Sequence, residues 1–423
     1  MSKIASVRGM HDILPSSIGK WNYIEKIAKN LLSQYNYQEI RFPIIEKTEL
    51  FHRSVGISTD IVEKETYDFK DRNNETLTLR PEGTASCVRS IIEHGLLRNT
   101  LQKLWYMGPM FRHERPQKGR YRQFYQLGVE VYGNDSIAQD AELLTMAWRL
   151  WQRLQLSQNV TLEINNLGSE QDRIYYKQAL VAYLKTRQTK LDPDSRRRLD
   201  TNPLRILDSK DKQTKIILKN APRLSEFITK VSQIQFQKLL EYLMSINIPI
   251  KINNHLVRGL DYYADTVFEW VTNYLGAQRA ICAGGRYNRL VGRLGGKDTP
   301  AVGFAIGMER VISLLEILGL LPKTNQFPHI YVISDQVSRL KTMLIIENLR
   351  CQYPELKIEQ NIMAVSLKSQ FKKANKSGAK FAIVIAEDEI VRNNCIVKFL
   401  REDKLQIKVP QEELVNFFNL NTS

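Results

Sequence analysis

From Phe124 to Val131 the chain alternates without a break. Phe124, Gln126, Gly128 and Glu130 fall on one side of an extended strand, while Tyr125, Leu127, Val129 and Val131 fall on the other. One side is apolar and packs. The other offers an aromatic plate, an amide and a carboxylate, and Gly128 leaves room there for a small ligand. Met107–Phe111 is a second extended run, and the loop between the two holds Pro116 and Gly119, which is a hairpin signal. Arg112, Arg115, Arg120 and Arg122 sit on that loop and its strand ends. Planar guanidinium groups suit carboxylate and phosphate oxygens. A basic turn alone is an ordinary solvated feature, but the polar face beside it argues for a cleft.

Four further clusters carry chemistry-bearing residues. In Leu79-Arg80-Pro81-Glu82-Gly83-Thr84 a carboxylate sits on a turn, with a helical pattern starting near Ala85. Glu82 suits an ammonium group there, and equally suits a helix start, where the dipole favours an acid. Leu256–Tyr263 gathers Arg258, Asp261, Tyr262 and Tyr263 before a strand-like run over Thr266–Val271. In Cys282-Ala283-Gly284-Gly285-Arg286-Tyr287 the paired glycines allow backbone to approach a ligand closely. Ala301–Arg310 reads as a strand-to-helix junction with Arg310 on the first helical turn. Gly295-Gly296-Lys297-Asp298 lacks the hydroxyl residue and spacing of a P-loop, and no Gly-x-Gly-x-x-Gly follows a strand. A nucleotide bound here would be held by arginines.

The 423 residues, 43% of them hydrophobic, suffice for two or more domains. The net charge of +16 favours an anionic partner such as nucleic acid, although compositional drift toward lysine produces the same sign. No apolar run is long enough to span a membrane, and Met1–Leu14 lacks the apolar core of a signal peptide. Cys87, Cys282, Cys351 and Cys395 lie far apart, so neither a zinc site nor a disulfide framework is expected. The reading is a soluble, cytoplasmic protein with no protein-held metal site.

Trp21–Tyr35 carries the stripe of an amphipathic helix, entered through Pro15-Ser16-Ser17, and Tyr37–Ile45 reads as extended. A polar block at about 168–243 looks like a helical insertion among β-like runs. Leu321–Pro328 reads as a linker. Beyond it Ile330–Ile333, Leu356–Ile358, Phe381–Ile385, Ile396–Phe399 and Leu405–Val409 read as strands, with helices between the first three. One of those helices spans Ser366–Ser377. Its apolar stripe is Leu367, Phe371 and Ala374, and Lys368, Lys372 and Lys376 form a ridge beside it.

Together these motifs resemble the class II aminoacyl-tRNA synthetases, and within them the bacterial histidine–tRNA ligases, over nearly the whole chain. Val7–Pro15 resembles that family's opening motif, Tyr37–Pro43 motif 1, Phe111–Glu114 with the strand to Gly133 motif 2, and Gly303–Arg310 motif 3. Leu256–Tyr263 and Cys282–Tyr287 resemble its two histidine-specific motifs. The resemblance implies an α+β catalytic domain over 1–322, an antiparallel sheet flanked by helices with a helical insertion, and an α/β anticodon-binding domain over 328–423. It implies ATP and Mg2+, L-histidine and tRNA(His) as partners, and a homodimer.

Roles follow by resemblance. Glu82, Gly83 and Thr84 would bind the ammonium group of histidine. Gln126, Glu130, Tyr262 and Tyr263 would read the amino acid, with Glu130 and Tyr263 on the imidazole. Arg112 and Arg258 would hold the carboxylate and α-phosphate. Arg120 and Tyr121 would contact ATP, and Phe124 and Arg310 would sandwich its adenine. Arg115 and Gln117 would meet the tRNA acceptor end. Arg112, Arg258 and Arg310 would be the catalytic residues in two-step acyl transfer through a histidyl-adenylate. Asn288-Arg289, Tyr125 and Ala386 depart from the family pattern. Two other readings are a catalytically inactive, histidine-binding paralogue acting as a regulatory subunit, and an RNA-binding protein on the same scaffold.

Overall fold

The computed structural model describes residues 3–421 except 57, 58, 60, 99, 100, 118, 210, 259, 277, 323–326 and 364. Lys118, Gly259 and the middle of the expected linker therefore lie outside the described residues. The chain divides into two compact units, Met1–Pro322 and Lys323–Ser423.

In the first unit α1 (Pro15–Gln34) starts where Pro15 supplies a helix-ready φ. Its Trp21, Ile24, Ala28, Leu31 and Leu32 are buried, as the stripe requires. Then come β1 (Gln38–Glu39), β2 (Ile45–Lys47), α2 (Thr48–Val55), β3 (Tyr67–Lys70), β4 (Thr76–Leu79) and α3 (Thr84–Glu93). The extended run expected over Tyr37–Ile45 is thus two short strands, separated around Pro43, which has no N–H to give a ladder. Strands β2, β4 and β3 form a small antiparallel sheet.

The main sheet is built on a long hairpin, β5 (Gln102–Phe111) and β6 (Gln123–Tyr132), followed by α4 (Ile137–Arg153) and β7 (Thr161–Asn166). Four helices succeed one another: α5 (Glu170–Lys185), α6 (Pro193–Thr201), α7 (Lys212–Leu218) and α8 (Lys230–Ser245). Each begins at a polar residue whose side chain accepts from the first turn: Ser169, Asp192, Asp211 and Thr229. Those caps cut the polar block into short helices. The unit closes with β8 (Ile250–Ile252), β9 (Ala264–Val271), β10 (Ala280–Arg286), α9 (Leu290–Arg293), β11 (Ala301–Gly307) and α10 (Met308–Ile317). The sheet order is β1-β5-β6-β11-β10-β9-β7-β8, antiparallel except where the short outer strands β1 and β8 pair in parallel with β5 and β7.

Leu127, Val129 and Val131 of β6 belong to a core shared with residues of α1, α4 and α10. The opposite side of the same strand faces the second core, around Tyr106, Tyr132, Tyr262 and Tyr287. The alternation of β6 therefore separates a packing face from the face that carries the site.

The second unit is a mixed five-stranded sheet with helices: β12 (Ile330–Ser334), α11 (Arg339–Gln352), β13 (Ile358–Gln360), α12 (Leu367–Lys376), β14 (Phe381–Ile385), α13 (Glu387–Val391), β15 (Asn394–Phe399), β16 (Ile407–Pro410) and α14 (Leu414–Asn421). The apolar stripe expected on α12 is altered. Leu367 is exposed, and Gln370 is fully buried in the stripe. Its amide accepts from Ser334 N–H at 3.1 Å and donates to Ser334 O at 2.7 Å, which satisfies the end of β12. Leu405, expected in the last strand, is 90% exposed and precedes β16.

Candidate active site

A cavity of about 190 Å³ opens on the polar side of β6. One end is buried. There the chain passes from β4 through Pro81-Glu82-Gly83 into α3, and Glu82 and Thr84 enter the wall beside Gln126, Tyr262 and Tyr263. The Glu82 carboxylate accepts from the backbone N–H groups of Thr84 and Ala85, both at 2.7 Å. It starts the helix and lines the cavity at once, so both readings of this acid hold. Burial raises its pKa despite those two hydrogen bonds.

Glu130 lies behind this wall, 1% exposed. Its carboxylate accepts from Thr84 Oγ1 at 2.7 Å, Tyr106 Oη at 3.1 Å and Tyr287 Oη. Burial, only partly opposed by those donors, pushes it up to about 8. The sequence reading placed Glu130 directly on the ligand; its contact with the cavity instead passes through Thr84. The space expected beside Gly128 is taken by the Tyr106 ring, which a Cβ at Gly128 or Gly83 would strike. Gly303, opposite Glu130 in the β6–β11 register, likewise admits no side chain, because a Cβ there would meet the Glu130 carboxylate.

The paired glycines of β10 serve the sheet and not a ligand. A Cβ at Gly284 would meet Gly303 and Phe304, and one at Gly285 would meet Thr266 O at 2.5 Å. Cys282 and Ala283 line the cavity instead. Next to them Arg286 is buried, with Nε donating to Asp140 at 2.8 Å and Nη2 donating to Ser136 O at 2.7 Å.

Arg258 lines the cavity between Tyr263, whose ring lies 5.6 Å away, and Glu269, with which it forms an ion pair. Burial alone would lower its pKa, but the Glu269 carboxylate and the tyrosines outweigh it and the net shift is upward.

The other end of the cavity is only half buried. Arg112 donates from Nε to Pro81 O at 2.8 Å, and its guanidinium lies 5.2 Å over the Phe124 ring. Phe124 and Arg310, expected on either side of a bound adenine, both line the cavity. Arg310 donates to Gly119 O at 3.1 Å, Ala280 O at 2.7 Å and Gln278 Oε1 at 3.2 Å. Burial lowers its pKa, helped by Arg120 and Arg112.

Arg120 pairs with Glu114, and Tyr121 meets the His11 ring edge-on at 5.0 Å. The opening segment braces this loop: Arg122 N–H donates to Gly9 O at 2.8 Å, and Gly9, at φ 85°, leaves no room for a Cβ against Pro116. Arg115 and Gln117 are exposed on the loop and do not line the cavity. At the Asn288-Arg289 departure, Asn288 Oδ1 accepts from Ala301 N–H at 3.0 Å and Arg289 pairs with Asp298. The loop is thus held by its own polar contacts. The Tyr125 ring packs edge-on against Trp21 at 5.1 Å, on the core side.

The cavity thus has carboxylate, hydroxyl and amide at its buried end and arginines around an aromatic plate at the other. The sequence that builds it matches the histidyl-tRNA synthetase family model over residues 9–311. The chain belongs to that family. It is 53% identical over 418 residues to a histidine–tRNA ligase of Francisella philomiragia and 54% identical over 418 residues to that of Francisella tularensis subsp. novicida, with 99% of each chain covered. The solved structure of apo S. aureus histidyl-tRNA synthetase superposes with a TM-score of 0.83 at 35% identity, covering 98% of this chain and 100% of the other. The family's fold, with its helix-flanked sheet and its additional sheet unit, is the one described above.

Three carboxylates of the cavity escaped the sequence reading: Glu114, Glu269 and Glu309. Glu269 alternates inside an apolar strand, Phe268-Glu269-Trp270, and that lone acid among buried neighbours was a usable signal. Glu309 accepts the Tyr125 N–H through both oxygens, at 2.9 and 3.1 Å, and burial pushes it up to about 7.

Proposed function

We propose that this chain ligates L-histidine to tRNA(His) at the expense of ATP. The observation that carries the reading is one cavity joining Glu82, Thr84, Gln126 and Tyr263 to Arg112, Arg258 and Arg310. In our assignment Glu82 and Thr84 hold the ammonium group, while Gln126, Tyr262 and Tyr263 contact the amino acid. Gly83 lets the turn close over Tyr106, and Glu130 orients Thr84 from behind.

The histidine carboxylate attacks the α-phosphorus of ATP, pyrophosphate leaves, and a hydroxyl of the terminal adenosine of the tRNA then attacks the activated carbonyl. Arg112 and Arg258 stabilise the charge that builds on the α-phosphate, which is positioning and electrostatics and not covalent chemistry. Arg120, Tyr121, Phe124 and Arg310 hold the nucleotide.

Magnesium keeps its own water shell and rides on phosphates with one or two carboxylates, so the donor set here suits it. Among the described residues no group of three or more His, Cys, Asp or Glu side chains forms a protein-only metal site. Glu114 and Glu269, paired with Arg120 and Arg258, would hold the ion by exchanging those pairs, and the ion would neutralise phosphate charge.

We assign residues 1–322 to catalysis, with the helices of about 168–243 as an insertion, and 328–423 to the anticodon. Arg115 and Gln117, exposed on the loop, are placed toward the acceptor end. We assign the enzyme as a homodimer, a state to which the exposed apolar side chains Ile4, Val7, Leu14, Ile44 and Ile45 are open. No helix among the described residues is long and apolar enough to cross a membrane, and we place the enzyme in the cytoplasm.

Histidine-dependent exchange of pyrophosphate into ATP, followed by charging of tRNA(His), tests the reading. Exchange with histidine and no other amino acid supports it. Histidine binding without exchange would instead identify an inactive regulatory paralogue, which the likeness to ligases over the full chain does not favour.

A further inference from the structure

The β6–β11 ladder ends at the pair Gln126–Gly307, because Met308 begins α10. The next N–H on the β11 edge of β6, that of Tyr125, lies beyond the last residue pair of that ladder. Glu309 takes it, its two oxygens at 2.9 and 3.1 Å. The carboxylate stands in the first turn of α10, where the helix dipole favours negative charge.

The hydrogen-bonded N–H belongs to the peptide joining Phe124 to Tyr125, so the contact fixes the backbone that aims the Phe124 ring. The adjacent Arg310 ties the same helical turn to the hairpin loop at Gly119 and to β10 at Ala280. One turn of helix thus gathers three elements around the half-buried end of the cavity.

We propose that Glu309 is a positioning residue for ATP, a carboxylate that adds one rung to the β6–β11 ladder and so holds Phe124 in register with Arg310. The proposal rests on the assignment of that end of the cavity to the nucleotide. It treats Glu309 as acting through the backbone of β6 and not on the reacting atoms. The histidine-binding end, anchored by Glu82, Thr84 and Glu130, does not depend on this contact.

The test compares Glu309→Leu, which keeps size without an acceptor, with Glu309→Gln, which keeps an acceptor oxygen. In pyrophosphate exchange, loss of a charge-assisted hydrogen bond should raise the KM for ATP about tenfold in Glu309→Leu. The KM for histidine should change less than about twofold, and Glu309→Gln should recover to within about threefold of wild type. Hydrogen exchange at the Tyr125 amide supplies a second measurement on the folded protein: protected in wild type and Glu309→Gln, fast in Glu309→Leu. KM values for both substrates rising together, or Glu309→Gln as poor as Glu309→Leu, would overturn the proposal. So would unchanged protection at Tyr125. Absence of exchange in the wild type would sink the assigned reaction, while amide protection would still report on the contact itself.

Discussion

The two ends of the cavity are built on opposite principles. At the buried end, the two carboxylates are satisfied by neighbouring donors: Glu82 by two amides, Glu130 by three hydroxyls, with Tyr106 and Tyr287 buried. At the half-buried end, arginines are parked on carbonyls and on a ring: Arg112 on Pro81 and Phe124, Arg310 on Gly119 and Ala280. The first arrangement is rigid, since removing one member leaves buried groups unpaired. The second is a set of charges held by backbone oxygens that a phosphate can replace. Discrimination of a small side chain calls for the former, and stabilisation of changing charge calls for the latter.

The largest expected effect lies where the two ends meet. Arg258→Ala should lower the rate of pyrophosphate exchange by about 10²–10³, and Arg258→Lys should stay poor because it loses the planar fork that pairs with Glu269. Near-normal exchange by Arg258→Ala would break the division of labour outright.

The next effect belongs to the buried end. Glu130→Ala should raise the histidine requirement by about 10–100-fold while the ATP requirement moves little, since Thr84 loses its anchor. Equal changes for both substrates would remove Glu130 from amino-acid recognition.

Glu130 also makes the comparison visible in stability. Its folded pKa, about 8, stands above the ordinary 4.5, so the folded state holds the proton more tightly than the unfolded chain does. The stability this contributes is complete below about 4.5 and is lost as pH rises through about 8. Thermal melts from pH 5 to 8.5 should show wild type losing stability relative to Glu130→Gln as pH rises. Parallel curves would mean that the carboxylate is not held protonated.

The smallest effect on adenylate formation is expected outside the first unit. Lys368, Lys372 and Lys376 are all exposed along α12. Neutralising the three should flatten the log–log salt dependence of tRNA binding by about 2–3, with exchange unchanged. An unchanged salt slope would place the RNA elsewhere.

Much of the frame was legible before any coordinates. The period of Trp21–Tyr35 predicts α1, the alternation of β6 predicts which face packs, and Arg310 stands on the first turn of α10 as the junction motif suggests. Errors arose where one residue's neighbour comes from a distant segment. Gly128 reads as open space until Tyr106 is seen across the β5–β6 register. Gly284 and Gly285 read as a ligand approach until β9 and β11 are placed on either side of them. Leu367 reads as part of the α12 stripe until it is found exposed, with Gln370 buried there and completing the end of β12.

What the sequence by itself determined is the set of chemical groups and their local order. Side-chain period, caps and turn residues are properties of a few consecutive positions, and so the polar face, the arginine loop and the helix starts could be written down from them. What only the tertiary structure decided is depth and partnership. Glu130 and Gln126 share a face of one strand, yet Gln126 lines the cavity and Glu130 is sealed behind Thr84. Glu309 reaches Tyr125 across a separation of 184 residues. Tertiary packing sets both outcomes, because it brings the start of α3 against β6 and the first turn of α10 to the end of the β6–β11 ladder, and no run of neighbouring residues contains that information.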